Sequence, residues 1–166
     1  YGVIPVPIGV IVGGPGPTAL VTAGVHGDEY EGLVIARRLL SDLAPEQVTG
    51  RIIVMPVVNL PAVRAASRVS PIDGGNMNRA FPGGTGGPTA LIADYIERRL
   101  LPEVDVAVDL HSGGTRSIYS PCAYVYAFGD AAFRRAKLAA ATAFGAPLTT
   151  VVAAPSSGGS LSAACE

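Results

Sequence analysis

The stretch Ala19-Leu20-Val21-Thr22-Ala23-Gly24-Val25-His26-Gly27-Asp28-Glu29 decides the fold. Its first seven residues are apolar and read as a strand. The strand runs out at His26, and a helical pattern opens just after Glu29, with Asp28 or a neighbour placed to cap the first turn. A His and a Glu three residues apart across such a turn can address one common spot. An imidazole nitrogen and a carboxylate oxygen both suit zinc, and a catalytic zinc needs one further protein ligand and an open position.

Downstream, Val104 to Leu110 reads as a second buried strand, and it ends at His111. The chain has two histidines, and both stand at the C-terminal ends of apolar strands. In open α/β sheets that edge is where ligands bind. The residues therefore suggest a zinc site of His26, Glu29 and His111. Asp109 lies two residues before His111, on the same side of a strand, so it can hydrogen-bond a ligand imidazole. The plainer alternative is that H-x-x-E is too short to be diagnostic, each His is a hydrogen-bonded structural residue, and Asp109 caps a loop.

The remaining pattern alternates strands and helices. Val3 to Val12 is a strand pushed to a sheet edge by Pro5 and Pro7. The turn Gly13-Gly14-Pro15-Gly16-Pro17 is not a phosphate loop, because no Lys-Ser/Thr and no helix follow it. Tyr30 to Leu43 is a helix with Leu33, Val34, Ala36, Leu39 and Leu40 near one face. Arg51 to Val58 is a solid apolar run of the kind covered on both faces, and a short helix follows from Pro61 to Ser67. Pro88 to Leu101 is a helix that buries Leu91, Ile92, Tyr95, Ile96 and Leu100. Ala123 to Phe128 and Pro147 to Ala154 are strands on either side of a helix from Asp130 to Phe144. Pro155 to Ser160 connects to a helical beginning at Leu161 to Glu166. This order predicts a doubly wound α/β fold with a mostly parallel, mixed sheet and helices on both faces.

Arg68 to Gly87 is twenty residues without regular pattern, which in a compact domain marks a functional loop. Ile72, Met77 and Phe81 look like its anchors. Arg68, Asn78 and Arg79 then form a candidate anion clamp, since Arg grips carboxylates bidentately and stabilises oxyanions. Asp73 is placed to brace one of these arginines. The competing reading, equally open, is a solvated Gly-rich loop.

Composition narrows the classes. The 166 residues make about one domain, 49% hydrophobic and 15% charged, with net charge −1. The absence of a basic run argues against nucleic acid as a partner. No apolar run reaches the roughly 18 residues of a membrane span. The start, Tyr1-Gly2-Val3, carries neither an initiator Met nor a charged leader, which suggests a piece of a longer chain. Two cysteines, Cys122 and Cys165, are too few for a disulfide framework and fit a reducing cytoplasm.

Four blocks taken together resemble the succinylglutamate desuccinylase/aspartoacylase family, a branch of the zinc carboxypeptidase superfamily. They are His26-Gly27-Asp28-Glu29, Asn59-Leu60-Pro61-Ala62 through Arg68, Asp73 through Asn78-Arg79-Ala80-Phe81-Pro82-Gly83, and Asp109-Leu110-His111-Ser112-Gly113-Gly114. The wording of the last two blocks looks most like the ectoine-degradation branch, which removes acetate from N-acetyl-2,4-diaminobutyrate. The resemblance implies one zinc per chain on His26, Glu29 and His111. It implies that Arg68 polarises the scissile carbonyl and that Asn78 and Arg79 hold the substrate carboxylate. The substrate class it implies is a small N-acyl amino acid. It also implies a general-base Glu on a late strand and a C-terminal β domain. Neither is visible here, and Glu166 does not fit the base. Residues 1–166 are accordingly expected to be an N-terminal catalytic domain whose sheet is incomplete. Its open edge would invite self-association into a homo-oligomer. Two readings compete with the deacylase: a zinc carboxypeptidase acting on peptides, and a metal- or ligand-binding module without turnover.

Overall fold

The computed structural model describes residues 2–153 and 159–165. The last residue of the expected final strand, Ala154, most of the connection after it and Glu166 lie outside the described residues. Four strands form one sheet: β1 (Gly9–Val12), β2 (Thr18–Ala23), β3 (Arg51–Met55) and β4 (Val106–Leu110). Their order is β1-β3-β2-β4. β1 runs antiparallel to β3, while β3 and β4 run parallel to β2 on its two sides. The sheet is therefore mixed and mostly parallel, with β2 at its centre.

Side chains along β2 and β3 alternate between two cores, as strand geometry requires. Leu20, Ile53 and Met55 face a cluster that includes Met77, Phe81, Ala93, Ile96 and Leu161. Ala23 and Val54 face the other way, against Ala36 and the partly buried Leu33 and Leu40 of α1 (Tyr30–Asp42). On the first face lie α3 (Pro88–Tyr95) and the short α5 (Leu161–Ala164). Helices thus cover both faces, as the sequence predicts. Burying one Leu- or Ile-sized side chain in these cores stabilises by about 1.5–3 kcal/mol.

Several boundaries and faces differ from expectation. β1 begins only at Gly9, because Pro5 and Pro7 have no N–H to offer a ladder. β3 stops at Met55 ahead of Pro56 for the same reason. Its continuation is carried by Val58 N donating to Ala23 O and Asn59 N donating to Gly24 O, at 2.9 and 3.0 Å. α2 covers Leu60–Arg64, with the Asn59 side chain accepting from Ala62 N. On α1 the inward stripe is Gly32 and Ala36 with Leu33 and Leu40, and Val34 is turned to solvent. α3 buries Thr89 and Ala93 while Leu91 and Tyr95 are exposed, and the chain continues as a wider turn over Ile96–Leu100. In the long loop Met77 and Phe81 are anchors, but Ile72 is exposed.

β5 (Cys122–Tyr126) and β6 (Leu148–Val152) pair with each other in parallel, with α4 (Ala131–Phe144) between them in sequence. They form a separate two-stranded sheet. A parallel neighbour needs a crossover element, usually a helix. The segment between β4 and β5 supplies none, and β5 is not hydrogen-bonded to β4. Among the described residues the outer edge of β4 is unpaired.

Candidate metal centre

β2 and β4 end side by side, with Ala23 opposite Leu110. That register brings His26 and His111 to the same edge of the sheet. The chain between β2 and α1 passes directly against the backbone of α2 there, and Gly27 is what allows it. A Cβ on Gly27 would lie 2.0 Å from the carbonyl carbon of Ala62. Gly27 N donates to Ser67 O at 2.9 Å, tying the turn to the chain leaving α2. The N-cap position of α1 falls on Glu29, but its side chain makes no cap hydrogen bond. The carboxylate is drawn to the histidines instead.

His26 is buried, and its Nδ1 lies 2.7 Å from Glu29 Oε1. His111 sits at the rim, and its Nδ1 lies 2.7 Å from Glu29 Oε2. The two imidazole centroids are 5.0 Å apart. One ligand atom from each of His26, Glu29 and His111 can be chosen so that all lie within 4.8 Å of one another. Ser112 N donates to Glu29 Oε2 at 3.1 Å, and Arg68 Nη1 donates to Glu29 Oε1 at 3.2 Å.

The far nitrogens are also held. His26 Nε2 lies 3.1 Å from Asn76 Oδ1, which also accepts from Asn78 N at 3.0 Å. His111 Nε2 lies 2.8 Å from Asp109 Oδ2. Both outer partners are oxygens that only accept, which keeps a proton on each Nε2. Both Nδ1 lone pairs then face a carboxylate. Three acceptors this close require positive charge between them, either protons or a metal ion. Two imidazoles and a carboxylate are a zinc donor set, and outer oxygens on the second ring nitrogen are the usual support. The residues present fit the ion.

Without metal the protons do this work. Burial opposes charge on both Glu29 and His111, but the mutual contacts prevail. Glu29 is held well below the usual carboxylate range by hydrogen bonds from His111 and His26, the His111 charge and Ser112 N. His111 is raised to about 10 by its hydrogen bonds to Asp109 and Glu29 and by their charges.

The other sequence-predicted residues separate. Arg68 joins the cluster through Glu29 while its side chain remains 56% exposed. Asn78 is linked through its backbone to Asn76, and its Oδ1 accepts from Leu161 N at 3.2 Å, beside α5. Arg79 is exposed and folds back on the carbonyl of Asn78. Asp73 braces no arginine. It accepts from Thr89 N and Thr89 Oγ1, both at 2.8 Å, and from Gly75 N at 3.0 Å. Burial works against ionising Asp73, but these bonds from Thr89 and Gly75 outweigh it and lower its pKa. Sequence reading assigned no role to Asn76. Its signal was an Asn two residues before Asn78, the spacing at which an Asx side chain accepts the i+2 N–H.

A mixed α/β sheet with two histidines and one glutamate gathered at the C-terminal ends of its parallel strands defines the class of protein. A family model, the succinylglutamate desuccinylase/aspartoacylase catalytic domain, matches residues 15–166. The chain belongs to that family.

It is 49% identical over 148 residues to N-alpha-acetyl-L-2,4-diaminobutyric acid deacetylase of Halomonas elongata, covering 89% of this chain and 43% of that protein. The product-bound ectoine utilization protein EutE (DoeB) of Ruegeria pomeroyi is 48% identical, with a TM-score of 0.89 across 96% of this chain and 49% of that one. A succinylglutamate desuccinylase from Silicibacter sp. TM1040 is 46% identical, with a TM-score of 0.93 across 99% of this chain and 50% of that one. The chain spans about half the length of these relatives or less.

Proposed function

We propose that this chain is the zinc-carrying catalytic domain, residues 1–166, of a longer amidohydrolase that cleaves the acyl group from an N-acyl amino acid. The Halomonas relative, an N-alpha-acetyl-L-2,4-diaminobutyric acid deacetylase, supports that compound as the substrate. The observation that carries the proposal is the meeting of His26 Nδ1, His111 Nδ1 and both oxygens of Glu29, each imidazole backed by a second oxygen.

His26, Glu29 and His111 would hold one zinc per chain, which when bound polarises an amide carbonyl and acidifies water. Asp109 and Asn76 keep the imidazoles aimed. Arg68, anchored by one nitrogen on Glu29, offers its remaining N–H groups to the oxyanion that forms as the carbonyl is attacked. Asn78 and Arg79, on the turn that Asn76 begins, bind the substrate carboxylate. No described residue is assigned as the proton acceptor. Two cysteines, Cys122 and Cys165, suit a reducing cytoplasm, and the open edge of β4 suits pairing between copies. No helix among the described residues is long and apolar enough to cross a membrane.

The test is metal content by elemental analysis of the purified chain, with His26→Ala and His111→Ala alongside. One zinc per chain, lost in both variants, is the expected result. A chain that takes up no zinc, or one whose zinc survives both substitutions, sinks the proposal. Release of acetate from N-acetyl-2,4-diaminobutyrate, with no release of the C-terminal amino acid from a peptide, would then separate deacylase from carboxypeptidase.

A further inference from the structure

We propose that Thr22, in the middle of β2, is a positioning residue for the metal ligand His111, acting through Asp109. The inference rests on the His26–Glu29–His111 metal reading. Thr22 is 1% exposed, in a strand whose other central residues, Leu20 and Val21, are apolar. A buried hydroxyl costs stability unless it is hydrogen-bonded. In the ladder between β2 and β4, Thr22 stands directly opposite Asp109. Its Oγ1 donates to Asp109 Oδ1 at 2.7 Å, while the alternative acceptor, Val108 O, is at 3.5 Å.

The Asp109 carboxylate is therefore held at both ends. Thr22 fixes Oδ1, and Oδ2 faces His111 Nε2 at 2.8 Å. A carboxylate fixed at one oxygen cannot rotate about its last bond without losing that bond. The Thr22 hydroxyl thus fixes the plane of Asp109 and the position of Oδ2. Oδ2 in turn fixes the His111 tautomer and the aim of Nδ1 towards Glu29. The chain of contacts starts at a residue on an inner strand of the sheet, so the sheet sets the direction of a ligand at its rim. Valine at position 22 keeps the β-branched shape and removes the hydroxyl, and serine keeps the hydroxyl.

The experiment measures zinc affinity of the folded chain by chelator competition, and the visible spectrum of the cobalt-loaded chain, for Thr22→Val and Thr22→Ser. Outer-partner losses weaken metal binding by about 10–100-fold. For Thr22→Val we expect a loss near the lower end, about tenfold, together with changed cobalt band intensities. Thr22→Ser should recover most of both. In an Asp109→Ala background, Thr22→Val should add no further loss, because the residue it acts through is gone. If Thr22→Val folds poorly, Thr22→Ala, which also removes the hydroxyl, takes its place. Unchanged affinity and spectrum in Thr22→Val, with metal still bound by the wild type, overturn the role of Thr22 and leave the metal site standing. A full additional loss in the Asp109→Ala background overturns it as well. A wild-type chain that binds neither zinc nor cobalt overturns the metal reading and this inference together.

Discussion

The two imidazoles of the site are held in opposite ways. His26 is buried, and its outer partner is the neutral amide oxygen of Asn76, carried by the loop that continues into Asn78 and Arg79. His111 has a side chain that is 30% exposed, and its outer partner is the Asp109 carboxylate, carried by the same strand and fixed from the next one by Thr22. One imidazole is thus aimed by the sheet and one by a loop. Sheet positions change little when a substrate arrives, whereas loops adapt. The pairing gives the site a fixed side at His111 and an adjustable side at His26, beside the residues proposed to read the substrate.

The largest expected effect separates the two sides by pH. His111 has a folded pKa of about 10 against an ordinary 6.5, so its stabilising contribution is fully present below about 6.5 and is lost as pH rises through about 10. Glu29 is shifted downward from 4.5, so its contribution is present above that value and fades as pH falls below it. Thermal melts of the metal-free chain should accordingly show lower stability at pH 9 than at pH 6. The His111→Ala variant should lack most of that alkaline loss. Zinc has the opposite dependence, because it must displace the proton from His111 Nδ1. Its affinity should climb by up to about tenfold per pH unit while one proton is released. A metal-free chain equally stable at pH 6 and pH 9 would mean that His111 is not held as an imidazolium between Asp109 and Glu29.

Removing each outer partner tests the contrast directly. Asp109→Ala takes away a charge-assisted bond, about twice as strong as a neutral one, and Asn76→Ala takes away a neutral one. Both should weaken zinc binding within about 10–100-fold, with the Asp109 loss the larger. Calorimetric titration of the two variants gives the ranking. If Asn76→Ala proves the more damaging, the loop rather than the sheet is the stiff side of the site.

The same contrast explains how much could be read from the sequence. The meeting of the two histidines was legible because each follows an apolar strand and strand ends meet at one edge of a parallel sheet, and Glu29 was legible from its three-residue spacing to His26. Asp109 was legible because a two-residue spacing on a strand fixes a common side. What escaped were contacts made across elements. Thr22 reaches Asp109 only through the β2–β4 register, which sequence does not print. Asn76 reaches His26 across 50 residues of chain. Asp73 was given to the arginines and belongs to Thr89, because the loop folds back on the start of α3. The inward faces of α1 and α3 were read too broadly: Val34, Leu91 and Tyr95 satisfy the apolar pattern yet are exposed. The open edge of β4 and the separate pairing of β5 with β6 depend on long-range pairing, where local pattern carries no information.

The smallest expected effect comes from making the two sides alike. Asn76→Asp gives His26 an anionic outer partner, as His111 already has, without changing the size of the side chain. Asn78 N can still donate to it, so the turn that begins at Asn76 is preserved. An outer carboxylate raises the basicity of a ligand imidazole, and zinc binding should tighten by a few-fold, on the order of the 1 kcal/mol or so by which charged hydrogen bonds exceed neutral ones. The adjustable side would then become the fixed one. If zinc binding tightens while binding of 2,4-diaminobutyrate weakens, the neutral amide is what leaves the Asn78–Arg79 turn free to adapt to the amino acid. If both tighten together, the flexibility of that turn does not depend on the charge at position 76, and the division of the site into a sheet-held and a loop-held half loses its functional meaning.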